Sequence, residues 1–278
     1  MKEAKCLFFF ISWKFFTKRY DTPRFTQTIL MSVTNDLEKF YDSEAKKYHQ
    51  TRQKHWADSE KILEALKTCE NKHPTIIELW CWWWRWATLL EEKFEHPFSY
   101  TWVDISNNLL KLAKKDHPNY SFEHNDMISY LANQPQESAD IILAFACFQH
   151  LPNEEQRIAL LKNCYRALKY NGTIVFTNRA CSKWFLKTHR KAILIAQLKS
   201  MINFWKTSRR DVMIPRTSDK GTQYRYYHLY SLEELRKYTE LSWLKITTLE
   251  YLDKKWNTTV NRENANNSFL VARKTIYW

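Results

Sequence analysis

The chain has 278 residues, 44% hydrophobic and 26% charged, which excludes a disordered polymer and leaves room for one large domain with a sizeable core. Its net charge of +13 points to an anionic partner, nucleic acid first and a membrane surface second. Six scattered cysteines without CxxC spacing argue against a zinc site and a disulfide framework, and make a reducing cytoplasm the simplest home.

The N-terminal stretch "CLFFFISWKFF" is too short to span a bilayer, and Lys14 interrupts it. No small-residue cleavage site follows, so neither stable membrane insertion nor a signal peptide is expected. Met31 opens a stretch that reads as a soluble start; residues 1–30 are expected to be a poorly ordered extension of a single domain over 31–278. Leu37, Phe40, Tyr41, Ala45 and Tyr48 recur at spacings of three or four and predict a helix. A polar link with Arg52 and Trp56 leads to a second helix near Asp58, so that 35–66 is helical overall.

An alternation follows. "PTIIEL", "SYTWVDI", "YSFEHND", "ADIILAFACF" and "GTIVFTN" read as strands, separated by helical patterns in "WRWATLLEEKF", "NNLLKLAKKD", "MISYLAN" and "NEEQRIALLKNCYRALK". Strands alternating with helices imply an α/β fold with a parallel sheet covered on both faces. Residues 179–230 break the rhythm as a basic insertion, part helix and part loop or hairpin. From Arg179 to Arg225 it holds 12 Lys and Arg against two Asp. "SLEELRKYTELS" then opens on a capping box. "LKITTLEYL" and "NSFLVARK" predict a final antiparallel strand pair at the sheet edge.

Glycine is the anomaly. Ordinary usage predicts roughly 19 glycines in such a length; the chain has 2, and 13 tryptophans. Five of those, Trp80, Trp82, Trp83, Trp84 and Trp86, crowd the stretch after the first strand, where a tight turn usually calls for glycine. A base-stacking platform is the rival reading, but such platforms sit on exposed faces and not between a buried strand and its helix.

With glycine for tryptophan, Glu78 to Arg85 reads "ELGCGGGR". That acidic-x-Gly-x-Gly-x-Gly pattern resembles the first motif of class I S-adenosylmethionine-dependent methyltransferases. "YTWVDIS", "HNDM" and "ALKYNGTIVF" resemble the family's later motifs, and together the set covers residues 74–178. The resemblance implies a Rossmann-like seven-stranded sheet with helices on both faces, and S-adenosyl-L-methionine as cofactor. It places Glu78, Trp80, Trp82, Trp84, Asp104, Ile105, Asp126, Met127 and Ala144 around that cofactor, Asp104 on the ribose hydroxyls and Asp126 on the adenine. Some bacterial lineages read the UGA codon as glycine while other codes read it as tryptophan. On that reading Trp80, Trp82, Trp84 and Trp102 are glycine positions, Trp83, Trp243 and Trp256 are further candidates, Trp56 is authentic and Trp86 is open.

"TRQKHW" and "RYYHLY" are similar to segments of the tRNA wobble-uridine carboxymethyl methyltransferases. That subgroup implies tRNA as partner and a carboxylate as methyl acceptor; eukaryotic members use a small activating subunit. Arg52, His150 and Arg225 are the candidate catalytic residues. An arginine suits a carboxylate because its planar fork grips both oxygens. Trp56, Tyr227, His228, Lys187, Arg190, Arg209 and Arg210 are the candidates for substrate binding. "QHLP" departs from the subgroup's usual His-His pair, "IPR" from its "IPW", and Trp56 lacks the usual following proline. The competing readings are a methyltransferase of a small molecule or quinone precursor, and a non-catalytic RNA-binding relative.

Overall fold

The computed structural model describes residues 22–51, 59–80, 85–94, 96–191, 193–194, 210–218 and 221–275, with side chains from Val33 onward except those of residues 59, 85, 184, 217 and 218. The strands are β1 Thr75–Leu79, β2 Ser99–Asp104, β3 Ser121–His124, β4 Ala139–Phe145, β5 Leu168–Arg179, β6 Asp211–Ser218, β7 Gly221–His228, β8 Leu244–Leu252, β9 Thr258–Thr259 and β10 Asn267–Lys274. The helices are α1 Thr22–Thr51, α2 Ser59–Leu66, α3 Arg85–Lys93, α4 Asn107–Asp116, α5 Met127–Asn133, α6 Glu154–Ala167, α7 Lys183–Thr188 and α8 Leu232–Glu240.

Eight strands form one sheet in the order β3-β2-β1-β4-β5-β10-β8-β9. The five from β3 to β5 are parallel, and β10 runs antiparallel between β5 and β8. The sheet therefore has one strand more than the seven expected. The addition is β9, two residues that pair with Tyr251 and Leu252 because the turn after β8 folds the chain back on itself. Burial of all seven residues of β4 follows from helices on both faces of a parallel sheet. Ile62, Leu66, Trp86 and Leu90 cover one face, and Leu37, Tyr41, Leu131, Leu160 and Leu235 the other.

Helix α1 begins at Thr22, inside the segment expected to be a poorly ordered extension. Pro23 stands in its first turn, where the fixed φ of proline suits a helix start and its missing N–H costs nothing. Residues 1–21 lie outside the described residues. The basic insertion contributes the short helix α7 and the separate hairpin β6–β7, which pairs in register from Asp211↔His228 to Ser218↔Gly221.

Six non-glycine residues among those described have positive φ, and three of them are tryptophans: Trp80 at 71°, Trp243 at 59° and Trp256 at 66°. A bulky residue in this region is a genuine outlier. Trp243 follows α8 at the turn closed by its N–H on the Glu240 carbonyl, where helices commonly end on glycine. Trp256 sits in the β8–β9 turn, with its N–H on the Asp253 carbonyl. Gly172 needs its hydrogen for a different reason: a Cβ there would stand 2.8 Å from the Lys169 carbonyl oxygen.

Candidate active site

The chain order reverses between β1 and β4, and ligands of open α/β sheets bind at the strand ends beside such a switch point. Asp104 ends β2, is almost fully buried, and accepts the Ser106 N–H at 2.7 Å through Oδ1. Ile105 follows it and is buried, Met127 is buried at the start of α5, and Ala144 is buried in β4. Asp126 caps α5 by accepting the N–H groups of Ile128 and Ser129, each at 3.0 Å. Two carboxylates thus stand at adjacent strand ends, where a diol and an amino group can be read. Glu78 is drawn into the fold instead, accepting from the Tyr100 hydroxyl at 2.8 Å and from the Trp102 indole.

Helix α1 lies across these ends. Asp42 accepts the Ser106 hydroxyl at 2.6 Å and the Asn108 N–H at 3.1 Å, two and four residues beyond Asp104. One turn of α1 therefore holds the loop that follows β2.

Trp80 closes β1 with its N–H on the Val103 carbonyl at 2.6 Å. Its indole stacks on His150 with centroids 5.0 Å apart and meets Tyr41 edge-on at 5.4 Å. The indole N–H is buried with no hydrogen-bond partner. A left-handed backbone and an unsatisfied donor at one residue are two separate costs, each of about 1–3 kcal/mol. The strand-end carboxylates fit a nucleoside cofactor, and the side chain at 80 packs against His150 and Tyr41 at the end of β1.

His150, at the end of the 3-10 turn after β4, points Nδ1 at the Tyr226 carbonyl at 2.8 Å and Nε2 at the Tyr41 hydroxyl at 3.3 Å. The carbonyl accepts only, so Nδ1 carries the proton and Nε2 accepts from Tyr41. Burial first, with the Arg225 charge, pushes its pKa down to about 3, which keeps the imidazole neutral. His150 positions Tyr41 and the hairpin.

Arg225 enters from β7. It is 7% exposed, its Nη1 donates to the hydroxyls of Tyr41 and Tyr48 at 3.4 Å each, and its Nε has no partner. The guanidinium lies over the rings of Phe40 at 5.0 Å and Tyr227 at 5.3 Å. Tyr227 in turn meets His150 edge-on at 4.7 Å. Sequence reasoning named Arg225, His150 and Tyr227 but missed Tyr41, Tyr48 and Asp42.

His228 does not line this site, contrary to the expectation. It is fully buried, with Nδ1 2.6 Å from Asp211 and Nε2 3.0 Å from Glu234, so both nitrogens are used inside the fold. Arg210 likewise pairs with Glu234 at 2.7 Å. Tyr226 donates to Asp211 at 2.7 Å, and Arg157 stands 3.8 Å from the same carboxylate. This network rivets the hairpin to α8 and α6. Lys187 and Arg190 are exposed on and just after α7. Arg52, Trp56, Trp82, Trp84 and Arg209 lie outside the described residues.

Burial alone would raise Glu234, but the hydrogen bond and charge of His228, with Arg210 and Tyr238, hold it down to about 2. A carboxylate depressed in the folded state contributes stability above its unfolded pKa, lost as pH falls through the folded value. We expect Glu234→Gln to cost roughly 1–3 kcal/mol at pH 7 after allowance for solvent screening. The gap in melting temperature from the parent should narrow between about pH 5 and 2. A gap independent of pH would remove the ion pairing from this account.

A family model described as a methyltransferase domain matches residues 85–174. The chain is 28% identical over 134 residues to a malonyl-[acyl-carrier protein] O-methyltransferase of Paenibacillus sp. (strain JDR-2), covering 46% of this chain. The match spans 47% of that relative, about half its length. Among solved structures, a Methanosarcina mazei S-adenosylmethionine-dependent methyltransferase superposes with TM-score 0.58 at 16% identity, over 76% of this chain and 97% of its own. DhpI in complex with S-adenosylmethionine and HEP superposes with TM-score 0.57 at 15% identity, over 87% of this chain and 97% of its own. The fold is thus the Rossmann-like one of these methyltransferase structures, with a mostly parallel sheet, and its segment 85–174 matches a methyltransferase domain. Among the described residues no group of three His, Cys, Asp or Glu could hold a metal ion, and no helix is long and apolar enough to cross a membrane.

Proposed function

We propose that this chain transfers a methyl group from S-adenosylmethionine to an oxyanion, and that the acceptor is the carboxymethyl group of a tRNA wobble uridine. One observation carries the acceptor class. Arg225 is a buried guanidinium that makes no ion pair among the described residues. Burying a cation without a counter-ion is costly, so the site gains when an anion arrives. When bound, the cofactor supplies a methyl group already activated by the sulfonium. The protein's task is then positioning: Arg225 orients the acceptor oxygen, Tyr41 and Tyr48 hold Arg225, and Asp104 and Asp126 hold the nucleoside. The exposed cations Lys187 and Arg190 suit phosphates of a nucleic acid. A small carboxylate is the second reading, favoured by the likeness to a methyltransferase of malonyl-[acyl-carrier protein].

The working protein on this reading carries glycine at 80, 82, 84 and 102, and also at 243 and 256. The positive φ of Trp80, Trp243 and Trp256 supports it.

The test is methyl transfer from labelled cofactor to tRNA bearing 5-carboxymethyluridine and to the same tRNA without the carboxymethyl group. Label only on the first is expected, with affinity that falls steeply as salt rises. Equal labelling would discard the carboxylate acceptor, and label only on a small acid would shift the function to the second reading.

A further inference from the structure

The side of α1 that meets the hairpin carries more than its two tyrosines. Glu44 lies three residues after Tyr41 and four before Tyr48, so all three share one face of the helix. It is 6% exposed, and its Oε2 has no hydrogen-bond partner among the described residues. Across from it, the hairpin pairs Arg216 with Gln223 and Ile214 with Arg225, so both arginines and Gln223 stand on one face of the two strands. Arg216 lies over the Tyr48 ring at 4.7 Å, with its Nε 3.7 Å from Glu44 Oε2, near enough to balance charge and too far for a hydrogen bond. Arg225 reaches the hydroxyl of the same Tyr48 at 3.4 Å. Glu44, Arg216, Tyr48 and Arg225 thus form one chain of contacts. The Oε1 of Gln223 and the Nε of Arg225, two residues apart on β7, are also buried without a hydrogen-bond partner among the described residues.

We infer that Glu44, Arg216 and Gln223 read the edge of the base that carries the acceptor, and that Glu44 Oε2 accepts the imide N–H of a uracil. The inference rests on the methyl-transfer reading above and deepens it by naming the residues that select the base. Three orphaned polar atoms between one helix face and one hairpin face require a ligand that brings donors and acceptors together. Arg216 offsets the charge of Glu44, which leaves Arg225 as the surplus cation for a single anion. On a uracil bearing a C5 carboxymethyl group, the C4 carbonyl stands between the N3–H and the acidic substituent. The order along the site is the complement of that edge: an acceptor at Glu44, a donor at Arg216, a cation at Arg225. Gln223, across the hairpin from Arg216, offers a carboxamide that both donates and accepts. A carboxylate beside a guanidinium accepts hydrogen bonds and has none to give. Cytosine would set its N3 lone pair against Glu44, and an N3-methyl group would leave the carboxylate without a donor, so both are rejected.

The experiment is calorimetry on the protein with glycine at 80, 82, 84 and 102, with and without S-adenosylhomocysteine. The probes are 5-carboxymethyluridine, its N3-methyl derivative, 5-carboxymethylcytidine and malonate. The uridine should bind about 30-fold or more tightly than the N3-methyl derivative and the cytidine, the scale of one hydrogen bond to a charged acceptor. Glu44→Gln, whose amide can turn to donate to a ring nitrogen, should bring the uridine-to-cytidine ratio below about 3, while malonate, which has no base edge, keeps its affinity within about threefold. Gln223→Leu should weaken the uridine about fivefold and leave malonate unchanged. Far-ultraviolet circular dichroism confirms that each variant folds, and the N3-methyl probe needs no variant. Equal affinity for the uridine and its N3-methyl derivative overturns the inference, and label that still reaches the carboxymethylated tRNA would leave methyl transfer standing. An unchanged uridine-to-cytidine ratio in Glu44→Gln overturns the part of Glu44. Binding of malonate but of no nucleoside overturns the base site and the tRNA acceptor together. Selective uridine binding by a protein that neither binds S-adenosylhomocysteine nor transfers label keeps the base site and discards methyl transfer.

Discussion

Restoring glycine at 80, 82, 84 and 102 should turn a chain that scarcely binds S-adenosylhomocysteine into one that binds it about three orders of magnitude more tightly, some 4 kcal/mol by calorimetry. The largest share is expected from position 80. Its indole packs against both Tyr41 and His150. Glycine there removes the side chain, the left-handed strain and the orphaned N–H in one step. Trp243→Gly serves as an internal control far from the strand ends. That residue is 52% exposed, so relief of its φ should outweigh the lost contacts with Tyr165 and Lys162 and raise stability by about 1 kcal/mol. Equal cofactor binding by the two forms, or a Trp243→Gly protein that melts well below its parent, would sink the account of the tryptophans.

Asp104→Asn in the glycine form should cost about 1.5–3 kcal/mol of cofactor affinity for each ribose hydrogen bond that loses its charged acceptor, roughly 10- to 150-fold. Asparagine can still accept the Ser106 N–H, so the melting temperature should move little. Asp126→Asn should behave less cleanly. Asp126 also caps α5, so part of any loss would be stability, about 1 kcal/mol or less because asparagine caps nearly as well. A calorimetric titration in which Asp104→Asn matches the parent would remove Asp104 from the ribose.

Much of this architecture was legible in the sequence because its signals are local. The apolar run of β4, the capping serine before α8 and the carboxylates at the ends of β2 and β3 each announce themselves within a few residues. The acceptor side was only half legible. Tyr41 and Tyr48 share one face of α1 at a spacing of seven, which reads as core. Only the fold reveals that their hydroxyls meet a guanidinium from β7 more than 170 residues away. His228 sits beside Tyr227 in a motif yet belongs to a different environment, because alternate residues of a strand face opposite sides and its partners are Asp211 and Glu234. The ninth strand was illegible: two residues carry no periodicity.

Helix α1 touches both halves of the site. Asp42 fastens the loop after Asp104, and one residue earlier Tyr41 reaches Arg225. If the chain transfers methyl groups as proposed, one helix would carry information between the two ligands: binding of the nucleoside and of the acceptor is expected to be interdependent, and titrating one in the presence and absence of the other checks it.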